Sequence, residues 1–468
     1  MRTFGWNLSR ARTLLFSFEA CLILGILYAI NHLTFLYETG TEVEWVFAPY
    51  PQAAKAVVFV LVCQVCMYLN ELYDPKIIRS RRELGIRMLQ ALGVACIILS
   101  VIYAFSASIR IRQSTFLIAL PTMIVSLFFW RQLYLKILRY DAFGERVVIL
   151  GSDASAERIL EEIAEGKDSG FEVTTLITED PPEWVFSHNP ISIETIIPLE
   201  DFAHKAERLV ADRMVVAMQD RRGKMPFRTL LNCRFKGIQV EEAATFYETL
   251  TGKILLDRLR PSWLIFSEGF RISKFTLRIK RIVDLAMAGI LLVVASPVML
   301  LTAMLIKLDS RGPVIYKQDR VAEGWKDYTL YKFRSMVKDA EVYGAKWAEE
   351  DDPRVTRVGR VIRRYRIDEL PQLFNVLKGD MSFVGPRPER RLFVEELAAE
   401  IPYYPYRLFV KPGISGWAQI KYHYGASKNE AMEKLQYDLY YIKHMSFFFD
   451  LSIIFDTIRV VLSGKGAR

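Results

Sequence analysis

Four long apolar segments open the chain, at about residues 13–36, 53–73, 85–108 and 114–137. Each is near the ~20 residues that a helix needs to cross a bilayer. The first has basic residues ahead of it, as a signal peptide would, but its run is too long and no small-residue cleavage site follows, so a retained anchor is predicted. Charges around the segments set their direction. Arg2, Arg10 and Arg12 precede the first, Glu38, Glu42 and Glu44 follow it, and Lys76, Arg79, Arg81 and Arg82 fill the second loop. Arg131, Lys136 and Arg139 close the fourth. The positive-inside rule puts both ends of this region in the cytoplasm, against the sense of Arg110 and Arg112 in the third loop.

The pattern then changes to short β-branched runs and amphipathic stretches. RVVILG at 146–151, a helical pattern over 154–165, RMVVAM at 213–218 and a short run at Gly237–Val240 predict a small Rossmann-like parallel sheet. After Gly151 come Ser152 and Asp153, so the glycine-rich dinucleotide loop is missing. A further apolar run fills 278–311, with Arg278, Lys280 and Arg281 before it and Lys307 and Arg311 after it. Ser296-Pro297 sits in its middle, where proline should kink a helix. A re-entrant hairpin that leaves by the face it entered satisfies both facts, and a fifth crossing helix is the alternative.

GPVIYKQDR at 312–320 and YTLYKFRSM at 328–336 predict a pair of strands. Tyr328 and Lys332 form the YxxxK spacing of short-chain dehydrogenases, a weak signal without a glycine-rich loop. Over 353–366, Val355, Val358, Ile362 and Tyr365 make an apolar helical stripe, and Arg354, Arg357, Arg360 and Arg364 make a basic one. At the centre stands RRYRIDELPQLFNVLKGDMSFVGPRP, residues 363–388. Asp368 and Glu369 precede a helix opened by Pro371 and stopped by Gly379, with Arg363, Arg364, Arg366 and Arg387 close by in sequence. Paired carboxylates among arginines suit magnesium and phosphoryl chemistry; a capped helix with a solvated basic face is the plain alternative. In KPGISGWAQ, 411–419, Pro412-Gly413 and Gly416 predict tight turns, and Trp417 suits an interface or a stacked base. The aromatic tail, 436–463, is predicted to lie on a membrane surface.

Composition sharpens this picture. A chain of 468 residues is long enough for two to four units. Its 51% hydrophobic content and +9 formal charge favour lipid or anionic small substrates. No zinc-finger spacing or RNA-binding motif points to nucleic acid. Cys63 and Cys66 form a CxxC inside an apolar run, which predicts packing rather than redox or zinc chemistry.

The run DELPQLFNV, then KGDMS, then GPRPE, together with the Ser-Pro helix and PGISGW, resembles bacterial sugar transferases, the monotopic polyprenyl-phosphate phosphoglycosyl transferases. The middle region resembles the CoA-binding-like domain of the family's long form. The resemblance implies a membrane protein with three regions: a transmembrane α-helical bundle over 1–140, a Rossmann-like α/β domain over 141–262, and an α/β monotopic catalytic domain over 272–468. The re-entrant helix would cover about 279–307 and carry Asp284, Ser296 and Pro297.

The implied reaction passes sugar 1-phosphate from a UDP-sugar to undecaprenyl phosphate and releases UMP, with Mg2+ as cofactor. It would take place at the cytoplasmic face of a bacterial inner membrane. Asp368 would be the nucleophile, forming a phosphosugar–aspartate, and Glu369 would assist it or share the metal. Arg387 is the expected phosphate clamp, with Arg320, Lys332, Arg334, Arg364 and Trp417 as further substrate contacts. Three other readings stay open. A membrane sugar-nucleotide dehydratase would need the missing glycine loop, a glycosyltransferase would release UDP, and a scaffold would not turn over. The sugar and any homo-oligomer are left undecided.

Overall fold

The computed structural model describes residues 10–39, 50–70, 72–73, 81–139, 145–165, 171–179, 193, 195–206, 208–218, 225–256, 269–270, 272–337, 352–422 and 428–463. The chain forms two compact units, one over residues 7–240 and one from Glu241 onward.

The first unit opens with α1 (Arg10–Thr39), α2 (Tyr50–Leu69), α3 (Arg81–Phe105) and α4 (Gln113–Arg139), which match the four predicted segments. Leu15–Tyr37, Leu84–Phe105 and Gln113–Tyr134 are long and apolar enough to cross a membrane, whereas the apolar stretch of α2, Ala54–Leu69, is shorter. Ile23, Phe59, Met88 and Leu127 fill the space between the helices. Arg131 departs from its predicted role as a loop charge. It is fully buried and forks onto Glu19 of α1 at 2.7 and 2.9 Å, because a cation in an apolar bundle must find a counter-charge. Glu42, Glu44, Lys76 and Arg79 lie outside the described residues.

The α/β region contains β1 (Glu145–Leu150), α5 (Ala154–Glu165), β2 (Phe171–Thr178), β3 (Thr195–Pro198), α6 (Phe202–Lys205), β4 (Arg213–Val216), α7 (Phe227–Phe235) and β5 (Gln239–Glu242). They form one sheet in the order β3-β2-β1-β4-β5, and the β1–β2, β1–β4 and β2–β3 pairs are parallel. Strands β2 and β3 add to those expected from the sequence.

The second unit begins with α8 (Ala243–Thr251), which sequence reasoning placed in the middle domain. The residues after it, Ile254 and Leu256, are buried in the same core as Leu373, Val376, Leu435 and Tyr440. The segment therefore belongs to the C-terminal unit. Next comes α9 (Lys274–Asp309), one continuous helix that runs through Pro297. Proline denies the Val293 carbonyl its usual N–H donor, and the Ser296 hydroxyl donates to that oxygen instead, at 2.8 Å. The Ser-Pro pair thus repairs its own defect.

A hairpin follows, β6 (Ile315–Val321) antiparallel to β7 (Asp327–Phe333), with Tyr316 opposite Lys332. Then come α10 (Arg357–Arg364), a 3₁₀ turn at Ile367–Glu369, α11 (Gln372–Lys378), β8 (Ser382–Val384), α12 (Arg391–Glu400), β9 (Gly413–Ser415), α13 (Trp417–Lys421), α14 (Lys428–His444) and α15 (Phe447–Ser463). The predicted apolar stripe on α10 is shorter than its spacing suggested. Ile362 is buried, but Tyr365 is exposed and Val355 bridges to Met336 before the helix starts.

Gly413 and Gly416 do not make the predicted tight turns. Strand β9 pairs in parallel with β8, and a Cβ on Gly413 would strike the backbone of Gly385. Glycine here permits two backbones to touch. The tail also departs from a purely surface-lying helix. Tyr440, Tyr441, Phe449 and Ile453 are core residues, while Phe447 and Phe448 stay exposed.

Candidate active site

Contacts from three elements fix the ground on which the carboxylates stand. Asn375 of α11, wholly buried, accepts from the Tyr331 amide at 3.1 Å and donates to the Thr329 carbonyl at 2.8 Å, which staples α11 to β7. Gly379 ends α11 in a left-handed conformation, as predicted. Arg281 of α9 then donates to the carbonyls of Val376 and Leu377, at 2.6 and 2.8 Å, bracing the helix end that Gly379 terminates. Asp284 joins α9 to β8 by accepting from the Ser382 hydroxyl and the Phe383 amide, both at 3.1 Å.

On this frame Glu369 gathers cations from three directions. Lys332 Nζ of β7 lies 3.3 Å from Oε1, Arg387 Nη2 lies 3.2 Å from the same oxygen, and Arg366 Nη1 lies 3.7 Å from Oε2. Arg366 holds a left-handed conformation at φ 54°, which a non-glycine residue adopts only under constraint. Burial alone would raise the Glu369 carboxyl. Lys332, Arg387 and Arg366 outweigh it and hold the group below the usual range.

Asp368 is also buried but differently served. Among the described residues nothing hydrogen-bonds to its carboxylate. Burial pushes it above the ordinary range and the Glu369 charge adds to that, against the pull of Lys332, Arg363 and Arg387. Adjacent carboxylates pushed in opposite directions give one fixed anion and one poised, uncommitted oxygen pair.

Of the six predicted substrate contacts, Lys332 and Arg387 meet the pair. Arg364 is exposed and lies over the Tyr365 ring. Arg320 bonds to Gln318, Glu389 and the Pro388 carbonyl. Arg334 is buried against Ser310, with Nε and Nη1 lacking partners among the described residues. Trp417 donates to the Gly252 carbonyl and packs on Tyr440 and Phe449. Sequence reasoning missed Asn375 and Arg407 as supports; Tyr328, noted there only for its spacing to Lys332, has a buried hydroxyl unpaired among the described residues. Only the DELPQLFN run itself offered a signal for Asn375.

No cluster of three or more His, Cys, Asp or Glu side chains forms among the described residues. The uncommitted Asp368 carboxylate does suit a magnesium ion that brings phosphate oxygens and waters as its other ligands. Glu369, ringed by three cations, does not.

The bacterial sugar transferase family pattern matches residues 275–464, which include every residue of this site. The chain is 49% identical over 241 residues to the UDP-N-acetylgalactosamine-undecaprenyl-phosphate N-acetylgalactosaminephosphotransferase of Aeromonas hydrophila, covering 52% of this chain and 56% of that protein. It is 43% identical over 182 residues to the UDP-glucose:undecaprenyl-phosphate glucose-1-phosphate transferase of Escherichia coli, covering 38% and 39% of the two chains. The similarity thus spans little more than half of the Aeromonas protein's own length. Against the exopolysaccharide production protein PSS of Rhizobium leguminosarum, identity is 41% over 198 residues, 40% of this chain and 98% of the relative. With a relative matched over nearly its whole length, the chain belongs to the bacterial sugar transferase family.

Proposed function

We propose that this protein transfers sugar 1-phosphate from a UDP-sugar to undecaprenyl phosphate and releases UMP, as the first membrane step of a surface-polysaccharide pathway. The observation that carries the proposal is the asymmetry of the carboxylate pair: among the described residues nothing hydrogen-bonds to Asp368, whereas Lys332, Arg387 and Arg366 surround Glu369. An Asp368 oxygen attacks the sugar-bearing β-phosphorus, the bond to the UMP oxygen breaks, and UMP leaves with that electron pair. A polyprenyl phosphate oxygen then attacks the same phosphorus and frees the aspartate. Glu369 stays out of the chemistry, and its charge holds Lys332 and Arg387 where phosphate oxygens will lie. Magnesium held by Asp368 and substrate oxygens would neutralise diphosphate charge. The relatives' names make UDP-N-acetylgalactosamine the first donor to try and UDP-glucose the second.

The proposal includes a re-entrant α9 that holds the site at headgroup depth. A straight helix of 36 residues would be about 54 Å long, against about 30 Å of hydrocarbon. Near its start, Lys280 pairs with Asp450 at 2.7 Å, and at its end Asp309 accepts from the Val358 amide at 3.1 Å. Both partners lie in one folded unit. A crossing helix would carry its two ends to opposite sides of the bilayer. The wider division belongs to the same proposal: a helical region to about 140, a Rossmann-like region after it, and a catalytic region that takes in residues 243–256. Inner-membrane location belongs to the same proposal, and the loop charges support a cytoplasmic site.

The test uses the full chain in nanodiscs with magnesium and undecaprenyl phosphate, offering UDP-sugars one at a time. UMP formed with one donor, and lost in Asp368→Asn, supports the reading. UDP in place of UMP overturns the phosphoryl transfer, and no product from any donor favours a scaffold.

A further inference from the structure

The loop that carries Arg387 is held at the carbonyls of residues 386 to 389. Pro386 O accepts from the Gly413 amide at 3.0 Å, and Glu389 O accepts from the Val321 amide at 3.0 Å. Between them, Arg387 O accepts from Arg407 Nη2 at 3.0 Å and Pro388 O accepts from Arg320 Nη1 at 3.1 Å. The prolines at 386 and 388 add fixed φ angles and have no N–H of their own to satisfy. Four consecutive acceptors are thus taken, two of them by arginine side chains drawn from other elements.

Arg407 is itself locked. Its Nε and Nη2 sit 3.1 and 2.8 Å from Asp438 Oδ2, and its Nη1 donates to the Tyr404 hydroxyl at 2.7 Å. Both Arg407 and Asp438 are buried. The contacts run unbroken from Asp438 on α14, through Arg407, to the Arg387 carbonyl, and on through the Arg387 guanidinium to Glu369 at 3.2 Å. A buried guanidinium uses a rigid fork that lysine cannot reproduce. Spending it on one loop carbonyl makes sense where the direction of the next side chain matters.

We infer that Arg407, oriented by Asp438 and Tyr404, is a positioning residue for phosphoryl transfer: it sets the Pro-Arg-Pro backbone so that the Arg387 guanidinium meets Glu369 and the donor phosphate. Arg320 does the same for the Pro388 carbonyl. The inference rests on the reading of Arg387 as the phosphate clamp. A purely structural role for Arg407 is the competing account, and the two differ in how losses combine.

The experiment measures initial UMP release by the full chain in nanodiscs for Arg407→Lys, Arg387→Ala and the double variant. Arg407→Lys is expected to lower kcat/KM about 10- to 100-fold, the scale of a misplacement near 1 Å. Its partition between kcat and KM should match that of Arg387→Ala. The double variant should be no slower than Arg387→Ala alone, because Arg407 has nothing left to position. Multiplying losses would overturn the inference and leave Arg407 as a fold brace. Arg387→Ala at the wild-type rate would instead remove the clamp, a separate failure of the functional reading. Should Arg407→Lys not fold, Asp438→Asn enters the same cycle, with coupling to Arg387→Ala expected and additivity overturning the relay.

Discussion

Burial raises the Asp368 carboxyl, so its ionised form, the one the proposed attack requires, is depleted at a pH where an ordinary aspartate would be fully charged. Activity should fall as pH drops through that raised value. The acid limb of kcat/KM for UMP release is therefore expected above the usual aspartate range, and a limb near the unperturbed ~3.9 would remove burial as the controlling effect. Stability runs the other way. The folded state favours protonated Asp368, so its contribution is present at low pH and lost as pH rises through the folded value. Asp368→Asn should abolish turnover yet melt at pH 8 no lower than the parent. Glu369 has the opposite sign. Its contribution is present above the unfolded value and disappears as pH falls through the lowered folded one. Glu369→Gln leaves three cations without their anion and should cost about 2 kcal/mol, below the full buried-pair value because its partners are partly solvated. A thermal shift that leaves the melting point unchanged would show that solvent already screens the cluster.

Between elements, the site depends on backbone-to-side-chain joints more than on the carboxylates themselves. Asn375→Leu keeps the volume but leaves the Tyr331 amide and the Thr329 carbonyl unpaired, at a cost of about 2–3 kcal/mol. Because β7 carries Lys332, turnover should fall with it, and a fully active variant would show that Lys332 keeps its place unaided. The Ser296-Pro297 pair makes a similar point inside α9. Proline opens the ladder and the neighbouring hydroxyl closes it. The outer face of that helix, with Ile290, Val293, Val294, Leu300 and Leu308 exposed, is suited to lipid.

For the molecule as a whole, the ties at both ends of α9 make a topology prediction. Single cysteines at Lys274 and Arg311 should react with a membrane-impermeant thiol reagent from the same side of the bilayer. Labelling from opposite sides would convert α9 into a crossing helix and remove the re-entrant proposal. In the helical bundle, Glu19→Gln strands Arg131 in an apolar interior and is expected to destabilise by about 3 kcal/mol. Loss of folded protein in a detergent melt would register it, and an unchanged melt would mean that water reaches the pair.

Periodicity and local chemistry are properties of neighbours in sequence, and these the sequence determined by itself. The four apolar helices, the α5 boundaries, the β6–β7 hairpin, the Gly379 stop and the adjacency of Asp368 to Glu369 all followed from spacing within a few turns. Long-range partners carry no such spacing. That Lys332 and Arg387 meet Glu369 while Arg364 turns to Tyr365 was decided by how β7, α11 and the Pro-Arg-Pro loop pack. The same holds for Trp417, whose sequence context fits an interface but whose half-buried ring packs against the core beside Tyr440. Glycines 413 and 416 looked like turns because glycine permits turns, yet the parallel β8–β9 contact uses their missing Cβ instead. Arg131 looked like a loop charge until Glu19, 112 residues away, came within 2.7 Å. In each case the residue type allowed several environments, and the packing of elements distant in sequence selected among them.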